Sequence, residues 1–306
     1  METVRRNRVS EGKGMSHFSR LVKLFWISRP ISWPNTSYPF LVGYIISIGG
    51  VPTGLDLVTL VVGSLYFIGP FNLLMYGVND VYDYESDILN PRKGGIEGMR
   101  ESRAFHPTIL RAVVLTNAPF LLYLLIVSDW PARAVLALVV FAAIAYSLKG
   151  LRFKEVPILD SITSSFHFVG PLIFALALTG FPTAAWPWVG AFFLWGMASH
   201  ALGAIQDILP DRKGGLHSIA TALGARATIR LTVILYTLAV ALAAIQGSEY
   251  WPIVIAGALY VANCIPYLHT TDETSAATNT AWKRFLWLNY LAGAIITIFI
   301  VATQVL

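Results

Sequence analysis

The stretch Asn79-Asp80-Val81-Tyr82-Asp83-Tyr84-Glu85-Ser86-Asp87 follows a long apolar segment and runs on to Arg92-Lys93-Gly94-Gly95. On a helix, Asp80, Asp83 and Asp87 would share one face, because they are spaced at i, i+3 and i+7. Asn79 precedes Asp83 by four residues and lies on nearly the same face. Carboxylates this close repel one another unless a cation lies between them. Mg²⁺ prefers oxygen ligands and is usually completed by substrate phosphates. The stretch therefore predicts a magnesium-diphosphate site with these four residues as ligands.

A partial second copy of this motif lies downstream, in the stretch Asp207-Ile208-Leu209-Pro210-Asp211-Arg212-Lys213-Gly214-Gly215. Both copies contain D-x-x-x-D, both reach R-K-G-G, and both follow an apolar segment. A single copy would fit a solvated helix end equally well, whereas two copies at matching positions favour a functional site. We therefore expect Asp207 and Asp211 to be metal ligands too. Pro210 argues against one regular helix through the second copy.

The composition is that of an integral membrane protein. Of 306 residues, 56% are hydrophobic and 13% are charged, against about 25% charged in ordinary globular chains. The single Cys264 leaves no disulfide framework and no cysteine-based metal site. Residues 1–23 are basic and lack the apolar core of a secretory signal. They predict a disordered tail and a short interfacial helix, followed by one transmembrane domain over residues 24–306.

Apolar segments long enough to span a membrane, which takes about 20 residues, predict an all-α, multi-pass fold. The nine approximate spans are 31–50, 57–78, 107–128, 131–148, 158–180, 185–206, 228–246, 251–269 and 284–305. With this count, 21 of the 22 Lys and Arg residues fall on one side and only Arg133 on the other. The positive-inside rule makes that side cytoplasmic, and it accounts for the net charge of +5 without a nucleic-acid partner.

The same topology brings the two Asp motifs to one face of the membrane, because four spans separate them. The basic loop from Tyr146 to Lys154 is on that face as well. Basic side chains near the motifs would bind the diphosphate through charge-assisted hydrogen bonds. The candidates, with Asn79, are Lys149, Arg152, Lys154, Arg92, Lys93 and Arg212.

Ionisation of an allylic diphosphate leaves a carbocation, which an apolar pocket would protect from water. Polar residues within spans tend to face a cavity or to bond between helices. Five residues qualify: Asn35, Asn72, His167, His200 and Asn289. For each of them an interhelical hydrogen bond is the plainer interpretation. Asn72 and His167 are the better candidates for lining an acceptor cavity, because they lie in segments close to the motifs.

Together, these motifs resemble those of the UbiA superfamily of intramembrane prenyltransferases. The pattern N-D-x-x-D-x-x-x-D is met from Asn79 to Asp87, and a Y-x-x-K pattern is met by Tyr146 and Lys149. The resemblance implies catalytic roles for the motif residues, two Mg²⁺ ions, a prenyl diphosphate donor, and a central cavity open to lipid. One departure is Tyr84, which stands where many relatives that prenylate aromatic acids have Arg. Another basic residue would have to supply that contact.

The finer resemblance is to the lycopene elongases of bacterial C50 carotenoid synthesis. It rests on four stretches: Ser28–Trp33, Tyr76–Gly95, Phe193–Ser199 and Phe285–Tyr290. It implies dimethylallyl diphosphate as donor and the C2 ends of lycopene as acceptor. The resulting C1 cation would be closed by water or by loss of a proton, with the released diphosphate as a candidate base. A hydrocarbon acceptor also needs no carboxylate-binding Arg, which fits Tyr84 and makes Tyr84 a third candidate for lining the acceptor cavity.

Other interpretations remain open from sequence. Quinone and haem pathways also supply lipophilic acceptors for related prenyltransferases. A transporter is the main alternative that is not an enzyme, since intramembrane carboxylates also mark ion paths, although transporters usually place them near the midplane. A phosphotransferase of the CDP-alcohol type would need a D-G-x-x-A-R run, which the sequence lacks. The oligomeric state is open.

Nine spans and a cytoplasmic N-terminus predict that the C-terminus lies outside the cell. A reporter fused after Leu306 should therefore be active only if it works outside the cytoplasm. A reporter fused within the loop from Tyr146 to Lys154 serves as the cytoplasmic control. Cytoplasmic activity of the Leu306 fusion would show that the span count is wrong by an odd number.

Overall fold

The computed structural model describes residues 16–85 and 101–305, and helices are the only regular secondary structure in these two ranges. The helices of the first half are α1 His17–Ile27, α2 Trp33–Ile48, α3 Gly54–Ile68, α4 Pro70–Tyr82, α5 His106–Val127, α6 Trp130–Ala145 and α7 Leu159–Leu178. Those of the second half are α8 Trp186–Ile205, α9 Ile208–Lys213, α10 Ile219–Leu223, α11 Ala225–Ala244, α12 Trp251–Cys264 and α13 Asn279–Ile300. Short 3₁₀ turns include Pro30–Ser32, Arg103–Phe105 and Phe153–Glu155.

The predicted spans all coincide with helices, which confirms the all-α membrane fold. Within the described residues, seven helical segments are long and apolar enough to cross a membrane. The first and fourth predicted spans form α2 and α6, which have 16 residues each. A helix of that length reaches only about 24 Å. The count of nine membrane-crossing helices therefore stays a prediction.

The second predicted span is a broken helix. Gly54–Tyr82 forms one apolar segment of 29 residues, but α3 ends at Ile68 and α4 begins at Pro70. Pro70 lacks an N–H and its ring clashes with a regular preceding turn, so the helix is interrupted and carbonyl groups at the end of α3 lose their helical donors. The side-chain amide of Asn72 donates to the carbonyls of Phe67 and Ile68 at 2.6 and 3.1 Å. The buried Asn72 side chain thus supplies hydrogen bonds to backbone carbonyls at the helix break, as an apolar environment requires.

Helix α7 lies at the centre of the fold. It is the most buried of the candidate spans and packs against α2, α6 and α8. One hydrophobic core lies in the first half, around Phe40, Phe67 and Phe174. A second core lies in the second half, around Leu202, Tyr236 and Tyr260. Because α7 touches helices of both halves, it joins the parts of the chain that carry the two Asp motifs.

Helix α1 precedes this bundle and fits the predicted interfacial helix. Its apolar side chains Phe18, Leu21 and Trp26 are exposed, as they would be at a lipid surface. Lys23, on the same helix, pairs with Glu101 at 2.6 Å. The predicted disordered tail falls largely on residues 1–15, which lie outside the described residues.

Helices α7 and α8 approach each other closely at Gly196. A Cβ atom built there would lie 2.3 Å from Ser165 Oγ and 3.0 Å from the Ser165 Cα. A flexible side chain could move aside, but a backbone atom cannot. Small residues at such crossings are what allows two membrane helices to pack backbone to backbone.

We predict that Gly196→Val lowers stability by about 1–3 kcal/mol, the usual cost of overpacking, because α7 and α8 must separate. Thermal unfolding of the purified protein in detergent would measure the loss. Gly293→Val is the matched control, since Gly293 is also helical and a Cβ there meets nothing within 4 Å. Equal melting temperatures for the two variants would contradict the close approach.

Candidate functional site

The regular helix ends inside the first motif. Helix α4 stops at Tyr82, and Asp83 caps it with a backbone N–H that donates to the Asn79 carbonyl at 2.9 Å. One regular helix therefore does not run through Asp83, and the predicted spacing to Asp87 stays a prediction. Asp80 and Asp83 are nevertheless both buried, with 4% and 2% of their surface exposed. Three predicted site residues, Asp87, Arg92 and Lys93, lie outside the described residues.

Asp83 is the centre of a charged cluster. Asn79 Nδ2 donates to Asp83 Oδ2 at 2.6 Å and to Ser147 Oγ at 2.9 Å. Lys154 Nζ forms an ion pair with Oδ2 of Asp83, and Arg152 Nη1 lies 3.6 Å from Oδ1. The structure thus brings four of the predicted site residues together, two from the end of α4 and two from the loop that follows α6.

Arg29 is a site residue that sequence analysis did not single out. Its Nη2 lies 2.9 Å from Asp80 Oδ1, and its guanidinium stacks 4.2 Å from the centroid of the Tyr76 ring. The backbone of Arg29 is left-handed, with φ 51°, a conformation that costs a non-glycine residue energy and that persists only where contacts enforce it. The only signal in the sequence was a basic residue directly before Pro30, at the start of an apolar segment.

Arg152 contacts two carboxylates. Besides facing Asp83, it forms an ion pair with Glu155. The hydrogen bond that Arg152 donates to Glu155 is the main reason why the pKa of Glu155 is lowered from its ordinary value. Glu155 therefore stays ionised at neutral pH and orients Arg152. By contrast, Lys149 is exposed and makes no ion pair within the described part of the chain.

Tyr146 joins the cluster to two histidines. It follows the last residue of α6, and its ring lies edge-on to His167 and His200, with centroid distances of 5.0 and 6.5 Å. His167 is 4% exposed, and its Nε2 lies 3.4 Å from the Ala142 carbonyl. His167 therefore sits beside Tyr146, as an acceptor-lining residue would, but it also bonds between α7 and α6.

The second motif forms a separate short helix. Asp207 precedes α9 and accepts the backbone N–H of Asp211 at 2.8 Å through its carbonyl. Pro210 occupies the first turn, where no helical N–H bond is needed, so the expectation that α8 does not continue regularly through the motif is confirmed. Both Asp side chains are partly exposed.

Arg212 points to a partner outside the motif. Its Nη1 lies 2.6 Å from Asp272 Oδ2, and Nη2 donates to the Thr221 carbonyl at 3.0 Å. The backbone N–H of Ala225 and then Arg212 hold the pKa of Asp272 below its ordinary value, so the pair is charged at neutral pH. Arg212 is thus engaged by Asp272 in this structure, which does not place it on a diphosphate.

The other two residues predicted to line the acceptor cavity are Asn72 and Tyr84, and the structure shows other contacts for both. Asn72 is completely buried and its amide also donates to Thr36 Oγ1 at 2.8 Å, so it stabilises the break before α4 and presents no surface to a cavity. Tyr84 packs edge-on against His106 at 5.1 Å and lies under the Arg103 guanidinium. Sequence could not reveal the role of Asn72, because its partners are carbonyls of a helix break.

The donor set suits a hard cation, since the candidate ligands are carboxylates and one amide. Within residues 16–85 and 101–305, however, no three acidic, histidine or cysteine side chains stand close enough together to hold a metal ion. Asp87 lies outside those ranges. The chemistry of the donors therefore fits Mg²⁺, while the described geometry shows cations of the protein itself around Asp80 and Asp83.

Comparison with known protein families identifies the family to which this chain belongs. The model of the UbiA prenyltransferase family matches residues 36–289, which is most of the chain and contains both Asp motifs. The chain belongs to the UbiA prenyltransferase family. It is therefore an integral membrane prenyltransferase, and the transporter interpretation does not hold.

Curated relatives are similar along nearly the whole length. A lycopene elongase/hydratase of Corynebacterium glutamicum is 47% identical, over 90% of this chain and 95% of that protein. A C(50) beta-cyclic carotenoids biosynthesis protein of Dietzia sp. is 46% identical, over 90% of this chain and 64% of that protein. Among solved structures, a UbiA homologue from Archaeoglobus fulgidus bound to DMAPP and Mg²⁺ has a TM-score of 0.62 and 18% identity, and covers 89% of this chain and 99% of its own. That likeness establishes the fold.

We predict that Asp83→Asn abolishes turnover and lowers stability by about 2 kcal/mol or more, because Lys154 and Arg152 would lose a buried counter-charge. The double variant Asp83→Asn, Lys154→Met should regain much of this stability, since the unpaired ammonium is removed, but it should stay inactive. Thermal unfolding and turnover assays of the four proteins in the cycle provide the measurement. Activity in purified Asp83→Asn would remove Asp83 from the site.

Proposed function

We propose that the protein transfers dimethylallyl groups from dimethylallyl diphosphate to the two C2 ends of lycopene, giving C45 and then C50 carotenoids. The observation that carries this proposal is the 47% identity, over 90% of the chain, to a lycopene elongase/hydratase. Sequence identity of this extent includes the helices that would surround the acceptor. The Asp motifs, by contrast, indicate only the type of donor.

The charged cluster supports a diphosphate at the ends of α4 and α6. Asp80 and Asp83, with Asp87, Asp207 and Asp211, are the proposed ligands of two Mg²⁺ ions. When bound, Mg²⁺ neutralises the diphosphate as the bond to the allylic carbon breaks. Arg29, Arg152 and Lys154 already stand beside the carboxylates, so each can transfer its hydrogen bond to a phosphate oxygen. Arg29 is the proposed basic residue that takes the role left open by Tyr84.

The apolar character of the spans supports a hydrocarbon acceptor. In the described candidate spans, Lys and Arg occur near helix ends and not in the middle. An aromatic acid would need a cation near the reacting carbon, because a buried unpaired carboxylate is costly. Lycopene has no such requirement, and it can enter sideways from the membrane.

The proposed reaction is an electrophilic addition. Loss of diphosphate leaves the dimethylallyl cation, and the C1=C2 double bond of lycopene attacks it through C2. A tertiary cation remains at C1 and is closed by water or by loss of a proton. The two ends of lycopene are identical and far apart, so the second addition requires release and re-entry by the other end.

The orientation in the membrane is part of the proposal. The positive-inside rule places the N-terminus, the Asp motifs and the loop from Tyr146 to Lys154 in the cytoplasm, which is where a soluble diphosphate would be available. The C-terminus lies outside if the number of spans is nine.

We expect lycopene, dimethylallyl diphosphate and Mg²⁺ to yield products heavier by one and then two C5 units, with or without added water. The mono-adduct should appear early and decline as the second end reacts. Mass analysis of pigments, from the purified protein or from a lycopene-producing host, provides the measurement. Chelation of Mg²⁺ should stop the reaction.

A quinone-type acceptor is the alternative outcome of the same assay. Efficient prenylation of 4-hydroxybenzoate with no reaction of lycopene would overturn the choice of acceptor. The family membership and the diphosphate site would survive that result.

A further inference from the structure

The roles assigned so far leave one buried acid unexplained. Asp160, in the first turn of α7, is completely buried. Its Oδ1 accepts the backbone N–H of Ser161 at 2.7 Å, and its Oδ2 accepts that of Ile219 at 2.7 Å. Both donors are neutral amides. A buried carboxylate near the membrane interior is costly and by default indicates function.

The nearest group that can carry a positive charge is His200, on α8. Its Nε2 lies 3.3 Å from Asp160 Oδ2. The Nε2 atom is buried and makes no hydrogen bond within the described residues, although 17% of the His200 side chain is exposed. The accessible part of the ring is therefore not the atom that faces Asp160. A small rotation of the ring that directs Nε2–H at the carboxylate would leave Nδ1 as an acceptor for another group.

The pair contacts segments that lead to both Asp motifs. His200 packs edge-on against Tyr146, which precedes the loop whose Arg152 and Lys154 face Asp83. Through Ile219, Asp160 also holds the start of α10, directly after the loop of the second motif. His200 precedes Asp207 by seven residues, which is roughly 10 Å along a helix. It thus lies on the apolar side of the diphosphate site, where the acceptor must be.

The proposed reaction needs a proton acceptor at that place. When C2 of lycopene has bonded to the C5 unit, C1 is a cation. It is closed either by water, whose oxygen bonds to C1 and then loses a proton, or by loss of a proton from a neighbouring carbon. Each route releases one proton and changes no oxidation state beyond that of the addition itself.

We propose that His200 is the catalytic base that accepts this proton, and that Asp160 is the residue that positions it. The arrangement follows the general logic of an acid, a histidine and a reacting group in line. Asp160 fixes the tautomer and stabilises the imidazolium that forms. This inference rests on the proposed function, since it concerns the step that ends prenyl transfer to lycopene.

The test measures how much adduct His200→Asn forms for each diphosphate that it releases. Adduct formation and diphosphate release are measured together, with lycopene, dimethylallyl diphosphate and Mg²⁺. Without the base, the C1 cation reverts and the C5 cation is lost to water, so diphosphate is released without adduct. We expect the yield of adduct per diphosphate to fall about tenfold or more, within the range of general-base effects.

A purely structural role would give a different result. It would lower both rates equally and leave the yield per diphosphate unchanged, and that result would overturn the proposal. Loss of diphosphate release in a folded His200→Asn protein would overturn it too, because it would place His200 at the donor. Ser199→Ala is the matched control: it changes the neighbouring residue of α8, whose hydroxyl lies 3.0 Å from that of Tyr236, and it should keep the wild-type yield.

Asp160→Asn answers the same question should His200→Asn fail to fold. Asparagine keeps an oxygen for the Ile219 N–H but loses the charge that stabilises imidazolium. The yield should fall, by less than for His200→Asn. An unchanged yield in Asp160→Asn would contradict the positioning role. If the unmodified protein forms no adduct with lycopene, the proposed function itself fails, which is distinct from an unchanged yield in the variants.

Discussion

The structure depends on neutralising carboxylates that are buried at the ends of membrane helices. Asp80, Asp83 and Asp160 are each at most 4% exposed. An isolated buried carboxylate would shift its pKa and become neutral. Here the compensating groups come from segments far apart in the chain: Arg29 before α2 pairs with Asp80, Lys154 before α7 pairs with Asp83, and the Ile219 N–H at the start of α10 donates to Asp160. Each pair therefore fixes a tertiary contact, and together these contacts draw four helix ends to one place.

This same balance prepares the site for an anion. A cation that stabilises a carboxylate in one state is already desolvated and oriented for a phosphate in another. Arg152 shows how such an exchange can be gradual, because Glu155 retains it while its contact with Asp83 is long, at 3.6 Å. A bound magnesium-diphosphate, as proposed, would bring positive charge to the Asp side chains and negative charge to the basic ones. The pairs can then separate without leaving any of these groups uncompensated.

What the sequence could predict depends on whether an interaction joins residues close together or far apart in the chain. Apolar length and charge asymmetry are local properties, so the helices and the approach of Lys154 to the first motif were predictable. The end of α4 at Tyr82 was not, because the Asp83 side chain is held by ion pairs with Arg152 and Lys154 from another loop. An interhelical hydrogen bond was the plainer interpretation of Asn72, and its bond to Thr36 is one, but nothing local shows that Asn72 also satisfies a helix break. Arg29 and Asp160 carry no motif, and only the fold shows that each faces an opposite charge or a site.

Helix α7 connects the parts of the chain that carry the two motifs, as their proposed action on one substrate requires. It contacts α6, which leads to the basic loop, and α8, which leads to the second motif. Gly196 lets α7 and α8 meet backbone to backbone, so their relative position is fixed by steric contact and does not depend on charge. Asp160 then adds a polar tie from the first turn of α7 to the start of α10. A rigid central helix that carries Asp160 can keep the motif loops in fixed positions while the ion pairs of Asp80 and Asp83 exchange partners.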